Sequence, residues 1–306
     1  MARLSVIICT YNRWKHLLEV LQAIEDQVLS ANCEIVVVDN NSTDQTKEIV
    51  SEFSSVSKLS MRYFLEPNQG VSFARNRGVT ETKSELVAFL DDDVVPAPHW
   101  ISSLINGFDQ YHADSIGGPV FPVWPHEPLS PPAFHDGICG LFGLLDRGSQ
   151  VIQTRAYISN FLLGGNVAYR RSVFEDLGLF RTDLGRTATT LCGGEDSEMI
   201  QRVLKAGRLA VYDPKILVKH KIGPDRMKLS YLRKWNFDMG RSTVKISKFG
   251  GSIFLNLIAD CFTNGIFALF YYVARIEKKA MIAEENFWWK WGMFVELMRG
   301  SGIKNG

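Results

Sequence analysis

Three adjacent carboxylates, Asp91, Asp92 and Asp93, close the apolar run from Leu86 to Leu90. Like charges so placed repel one another, and a folded chain rarely gathers them without a counter-ion. Alternate residues of an extended segment point the same way, so Asp91 and Asp93 are expected to face one ion together. Hard oxygen ligands suit Mg2+ or Mn2+, and Mg2+ is commonly held by one or two carboxylates plus substrate phosphates. The plain alternative is a solvated acidic turn that caps the next helix. A second acidic pair, Glu195 and Asp196, follows Gly193-Gly194 and stands in the first turn of an amphipathic helix marked by Met199, Ile200, Val203 and Leu204. First-turn acids are also an ordinary helix-start preference.

Strands must deliver these groups. Leu4 to Cys9 is a near-continuous apolar run ending in Thr10-Tyr11-Asn12-Arg13, and Glu34 to Val38 is a second, ending in Asp39. Such runs suit strands covered on both faces. Met61 to Leu65 reads as a third strand and Leu86 to Leu90 as a fourth. Between them, helical spacing recurs. Trp14, Leu17, Leu18, Leu21, Ile24 and Val28 follow Asn12, a suitable N-cap. Ser42 and Gln45 have capping-box spacing ahead of Ile49, Val50 and Phe53. Val71 to Val79 carries Arg75 after the turn Asn68-Gln69-Gly70. Trp100 to Phe108 makes a fourth helix.

Strands alternating with helices imply crossover connections and a mainly parallel sheet. Ligands bind beyond the carboxyl ends of such strands. Thr10-Tyr11, Asp39 and Asp91 to Asp93 all stand just past strand ends, so three polar clusters converge on one edge. Further on, Pro122 to Pro132 is a proline-rich excursion, continued to about Asn160. Gly164-Gly165-Asn166 introduces a strand over 167–169 and a helix over 172–177. Gly207 closes the helix begun at Glu195. Short strands are expected over 209–212 and over 216–218, the latter leading to His220.

The chain has 306 residues, room for one large domain with an appendage or for two domains. Its net charge of +1 gives no basic face for a nucleic acid, so no nucleic-acid partner is expected. Five scattered cysteines without a CxxC pair argue for a reducing compartment and against a disulfide frame or structural zinc. The N-terminal segment lacks the order of a signal peptide. No GxGxxG follows the first strand and no GxxxxGK[ST] occurs, which speaks against a dinucleotide dehydrogenase and a P-loop kinase.

The last eighty residues change character. Ile253 to Val273 is strongly apolar, yet Asn256, Asp260 and Asn264 interrupt it as one polar stripe. Lys278 and Lys279 follow, then Asn286 to Phe294 with three tryptophans. Trp and Phe beside Lys are what an interfacial helix carries. The region 253–300 is therefore expected to touch a membrane surface. The alternative is helices packed on the catalytic part or on a twin subunit in a homodimer.

In its stretches Val6-Ile-Ile-Cys-Thr-Tyr-Asn-Arg13, Val37-Val-Asp-Asn-Asn-Ser-Thr-Asp44, Asn68-Gln-Gly-Val-Ser-Phe-Ala-Arg-Asn-Arg-Gly78, Phe89-Leu-Asp-Asp-Asp93, Gly164-Gly-Asn166 and Gly194-Glu-Asp196, the chain resembles the inverting family 2 glycosyltransferases. The resemblance covers roughly residues 4 to 220. It implies an α/β GT-A fold, a Rossmann-like, mainly parallel sheet flanked by helices, here with a C-terminal helical extension. The expected domains are 1–225, with a nucleotide-binding half 1–110 and an acceptor-binding half 111–225, and a helical region 226–306.

The resemblance also assigns roles. Thr10, Tyr11 and Arg13 would line the nucleotide pocket, with Asp39 on the base and Asp44 supporting its loop. Arg75 would face the diphosphate and Asp91 the ribose. Asp93, with Asp91 and His220, would hold Mn2+ or Mg2+. Gly164, Gly165 and Asn166 would lie against sugar or acceptor, Glu195 would hold the acceptor, and Asp196 would be the catalytic base. The implied activity is metal-dependent inverting transfer from a nucleotide-diphosphate sugar, a UDP-sugar foremost, to a glycan or lipid-linked acceptor in cell-envelope or exopolysaccharide synthesis. The expected location is cytoplasmic, at the cytoplasmic face of the membrane. A sugar-nucleotide nucleotidyltransferase and a non-catalytic glycan-binding relic of the fold are the alternatives.

Overall fold

The computed structural model describes residues 2–29, 31–125, 140–247, 254–274 and 276–301. The chain forms two compact units. One comprises residues 1–123, 142–182 and 195–222, the other residues 124–141, 183–194 and 223–306.

The first unit opens with the expected alternation: β1 (Leu4–Thr10), α1 (Trp14–Leu29), β2 (Cys33–Asp39), α2 (Thr46–Val56), β3 (Met61–Leu65), α3 (Val71–Glu81) and β4 (Leu86–Asp91). It continues with β5 (Val94–Pro96), α4 (Trp100–Tyr111), β6 (Ser115–Gly117), β7 (Val120–Val123), β8 (Ile152–Thr154), β9 (Asn166–Arg170), α5 (Arg171–Leu177), α6 (Glu195–Lys205), β10 (Ala210–Tyr212) and β11 (Val218–Lys221). Eight strands form one sheet in the order β3-β2-β1-β4-β9-β6-β10-β8. The first four run parallel, as do β6 and β10, whereas β9 runs antiparallel between β4 and β6. A small second sheet has the order β5-β11-β7.

The continuous apolar runs become central strands because both faces are covered. Val6, Ile7, Ile8, Val36, Val37, Val87 and Ala88 are all fully buried. The register pairs Thr10 with Asp39 and Cys9 with Asp91, so the three polar strand ends stand side by side.

Local details depart from the sequence expectation. Asn12 caps no helix. It takes a left-handed φ of 53°, and its Oδ1 accepts from the Thr43 amide at 2.7 Å, tying the loops after β1 and β2 together. α2 starts at Thr46 rather than after Ser42, and Asp44 accepts from the Thr46 amide at 3.1 Å. The strand expected over 216–218 lies at Val218–Lys221, so His220 stands inside it rather than after it. The excursion between Pro122 and Asn160 contains β8, and its residues 126–139 lie outside the described ones.

The second unit contains α7 (Leu229–Ser247), α8 (Phe254–Val273) and α9 (Glu277–Ser301). α9 packs against both of the others. Glycines bring α7 and α9 close: a Cβ on Gly240 would stand 1.9 Å from the Trp289 carbonyl oxygen, and one on Gly292 1.9 Å from that of Phe237. Trp289 meets Trp235 edge-on at 6.3 Å. Trp289 of α9 is therefore packed between helices. Among the described residues, no helix is long and apolar enough to cross a membrane.

Candidate active site

The expected site residues of the first unit fall into three groups at the strand ends. The first surrounds the acidic turn. β4 ends at Asp91, and the chain turns through Asp92 and Asp93 into β5. The alternation that would aim Asp91 and Asp93 at one ion needs extended backbone, and the turn removes it. Asp92 and Asp93 are both buried and share Arg13, whose Nη1 donates to Asp92 at 3.2 Å and to Asp93 at 2.8 Å. The Thr10 hydroxyl donates to Asp92 at 2.7 Å. Burial pushes the Asp92 carboxyl up to about 7 against the pull of Arg13. Asp92 first, then Asp93, hold Arg13 firmly protonated.

His220 stands beside this turn. Its Nδ1 lies 2.7 Å from the Phe142 carbonyl oxygen, and its Nε2 lies 3.5 Å from an Asp93 oxygen. A carbonyl only accepts, so Nδ1 carries a proton, and Nε2 faces the carboxylate. A ring nitrogen and a carboxylate oxygen are both ligand types that suit a cation, and a backbone carbonyl fixing the far nitrogen is the usual support of a metal-binding histidine. The donor set of Asp93 and His220 therefore fits a divalent ion that takes its remaining ligands from phosphate and water. Asp91 does not join them. Among the described residues no group of three or more His, Cys, Asp or Glu side chains is assembled for a metal.

The second group links β4 to α6. Arg75 on α3 is only 3 % exposed. Its Nη1 donates to Glu195 at 2.8 Å and its Nη2 to Asp91 at 3.1 Å, and the guanidinium lies 5.7 Å from the ring centres of Phe89 and Phe180. Burial works against its charge, but Glu195 and then Asp91 outweigh it and raise its proton affinity. This geometry makes Arg75 a strut between two carboxylates. Glu195 is likewise buried and paired with Arg75.

Asp196 remains half-buried at the start of α6. Its Oδ2 accepts from the Gly164 amide at 2.8 Å and its Oδ1 from the Ser197 amide at 2.7 Å, which fixes the plane of the carboxylate. Gly164 and Gly165 lie where side chains have no room. A Cβ on Gly164 would meet Arg75 Nη1 at 2.7 Å, and one on Gly165 would meet Asp91 Oδ2 at 2.6 Å. Asn166 is 1 % exposed and spent on the scaffold: Trp100 Nε1 donates to it at 2.8 Å, and it donates to the Pro119 and Ile216 carbonyls. It holds β9 in place.

Near the β2 end, Asp39 is buried and accepts from the Ser42 amide at 2.8 Å and the Tyr63 hydroxyl at 2.7 Å. Burial first, and then this bond, push the Tyr63 hydroxyl well above its usual range. Tyr11 is half-buried in the turn after β1. Asn40 carries no expected role, yet its amide ties the turn before α3 to the sheet. It donates to the Asn68 carbonyl at 2.6 Å and accepts from the Gly70 amide at 2.8 Å. Only the neighbouring turn glycine hints at it, because the partners come from residues 66 to 70.

The family described as glycosyl transferase family 2 matches residues 5–178. A glucosyl-dolichyl phosphate glucuronosyltransferase of Haloferax volcanii is 25% identical over 244 residues, 78% of this chain and 76% of that one. Among solved structures, the mannosyltransferase PcManGT from Pyrobaculum calidifontis, in complex with GDP-Man and Mn2+, superposes with a TM-score of 0.59 at 19% identity, covering 99% of this chain and 76% of that one. S. aureus TarS 1-349 in complex with UDP-GlcNAc gives 0.55 at 16% identity, covering 100% of this chain and 93% of that one.

Proposed function

The chain belongs to glycosyl transferase family 2, and from that membership we propose that it is an inverting transferase that uses Asp196 as its base. It has the GT-A fold and is a glycosyltransferase. The proposed donor is a UDP-sugar and the proposed acceptor a lipid-linked glycan of the cell envelope. One observation carries the base assignment. Asp196 is the half-exposed carboxylate at the head of α6, held in a fixed plane by two amides, whereas its neighbour Glu195 is buried against Arg75.

In this reading the acceptor hydroxyl gives its proton to Asp196 as its oxygen bonds the anomeric carbon. The bond from that carbon to the diphosphate oxygen breaks, and its electron pair leaves with the nucleoside diphosphate. A single base opposite the leaving group gives inversion, and no second carboxylate is needed to protonate a diphosphate, unlike in a glycosidase. Asp93 and His220 would hold Mn2+ or Mg2+, which when bound offsets charge on the donor phosphates. Asp39 would accept from the base, and Gly164 and Gly165 would let the sugar lie against the backbone.

The lipid-linked acceptor is supported by the glucosyl-dolichyl phosphate in the Haloferax volcanii relative's name. The UDP donor is compatible with the Asp39 carboxylate, an acceptor suited to a ring N–H such as the imide of uracil. UDP release from a panel of UDP-sugars, with Mn2+ and a polyprenyl-phosphate-linked saccharide, tests the reading. Release that requires both donor and acceptor is expected. Release from GDP-sugars alone would overturn the base preference, and turnover with neither nucleotide would overturn transfer.

Arg13 gives a separate expectation. Its side chain is 43% exposed and occupies Asp93 at 2.8 Å, so a metal ion must displace it. Arg13→Ala should bind Mn2+ roughly tenfold more tightly in the absence of nucleotide, the equivalent of about 1.4 kcal/mol. Electron paramagnetic resonance titration of free Mn2+ reads this directly, and an unchanged affinity would mean that Arg13 does not compete for the site.

A further inference from the structure

The second unit carries an apolar face that its own packing does not explain. Along α8, Phe262, Ile266, Leu269, Phe270 and Val273 recur at spacings of four, three, one and three, which is one side of a helix. They are 72, 63, 67, 59 and 77% exposed. Single exposed apolar residues are ordinary, but five large ones on one helix face mark an interaction surface. The opposite side of α8 is satisfied. Cys261 and Ala268 are buried, a Cβ on Gly265 would stand 3.5 Å from Phe287 of α9, and the Tyr272 hydroxyl donates to Glu284 of α9 at 2.6 Å. The polar stripe lies at the edge, where Asp260 pairs with Lys290 of α9. α8 thus turns its small and polar residues toward its partner helix and its bulk outward.

We infer that this face of α8 lies in the plane of an anionic lipid surface. One observation selects lipid over another occupant. The exposed Lys278 and Lys279 open α9 just beyond the C-terminal end of the apolar stripe, the arrangement in which cations meet headgroups while the apolar side chains sink below them. Among the described residues no helix is long and apolar enough to cross a bilayer, so the inference is of a surface contact and not of a span. The choice of lipid also rests on the lipid-linked acceptor proposed above, since an enzyme serving such an acceptor gains from staying at the surface that holds it.

Sedimentation with vesicles tests the assignment, using the full chain and three preparations: none, pure phosphatidylcholine, and equimolar phosphatidylcholine and phosphatidylglycerol. The protein should pellet with the mixed vesicles. The triple variant Phe262→Ser, Ile266→Ser, Phe270→Ser should lose roughly a hundredfold in partitioning. Lys278→Glu with Lys279→Glu should lose roughly tenfold, on the anionic vesicles only. All three apolar positions are exposed, so the variant should keep the wild-type melting temperature and the wild-type stabilisation by UDP and Mn2+. A wild-type protein that binds UDP yet ignores vesicles overturns the lipid assignment and leaves the transferase reading standing. Vesicle binding without nucleotide binding does the reverse. A dimer in sedimentation velocity that the triple variant dissolves would give the face to a second copy and overturn the inference.

Discussion

Asp196→Asn should lower the rate of sugar transfer by about a thousandfold or more while leaving nucleotide binding within about twofold of wild type. The amide keeps the shape of the carboxylate and can still accept from the Gly164 amide at the same position. What it loses is the capacity to take a proton from the acceptor hydroxyl. Asp196 is held by the Gly164 and Ser197 amides, so the donor side should be spared. Single-turnover transfer beside calorimetric nucleotide binding separates the two effects. Near-normal transfer would remove Asp196 from the role. An equal loss in Glu195→Gln would not by itself return the role to Glu195, because Glu195 also carries Arg75.

Arg75→Met should cost about 3 to 5 kcal/mol of stability and abolish transfer as well. The guanidinium is the counter-charge of two carboxylates, one of them buried, and methionine of similar length removes that counter-charge. The aromatic rings of Phe89 and Phe180 accept a methionine side chain, so packing loss is the smaller part. Denaturant unfolding measures the cost. Adding Glu195→Gln should recover part of it, since the pair then loses both charges rather than one. Strictly additive losses in the double variant would mean that the two side chains do not act as a pair.

The parts of the fold that read clearly from sequence were those governed by local pattern. β1, β2 and β4 are buried on both faces and so announce themselves as unbroken apolar runs, and the polar residues past their ends fall together because adjacent parallel strands stay in register. The GT-A fold followed from the resemblance of six stretches. What escaped was decided by contacts across long sequence distances. Arg75 meets Glu195 from 120 residues away, and nothing in either neighbourhood marks the partnership. Asp92 stood as the residue between two ligands until the turn after β4 placed it against Thr10 and Arg13. Asn166 looked like part of a sugar-facing loop, but its three bonds hold separate segments of the scaffold. In the second unit the tryptophans drew attention to α9, whereas the outward apolar face belongs to α8. Composition identifies interface-forming residue types, and only packing says which of two adjacent helices is inside.

The most direct measurement is calorimetric titration of UDP into the wild-type protein and into Asp93→Asn, with and without Mn2+. Binding to the wild type that requires Mn2+, and its loss in Asp93→Asn, is the result expected of a donor site built on Asp93 and His220. UDP binding that is indifferent to both the metal and the substitution would contradict a metal-dependent site at the acidic turn.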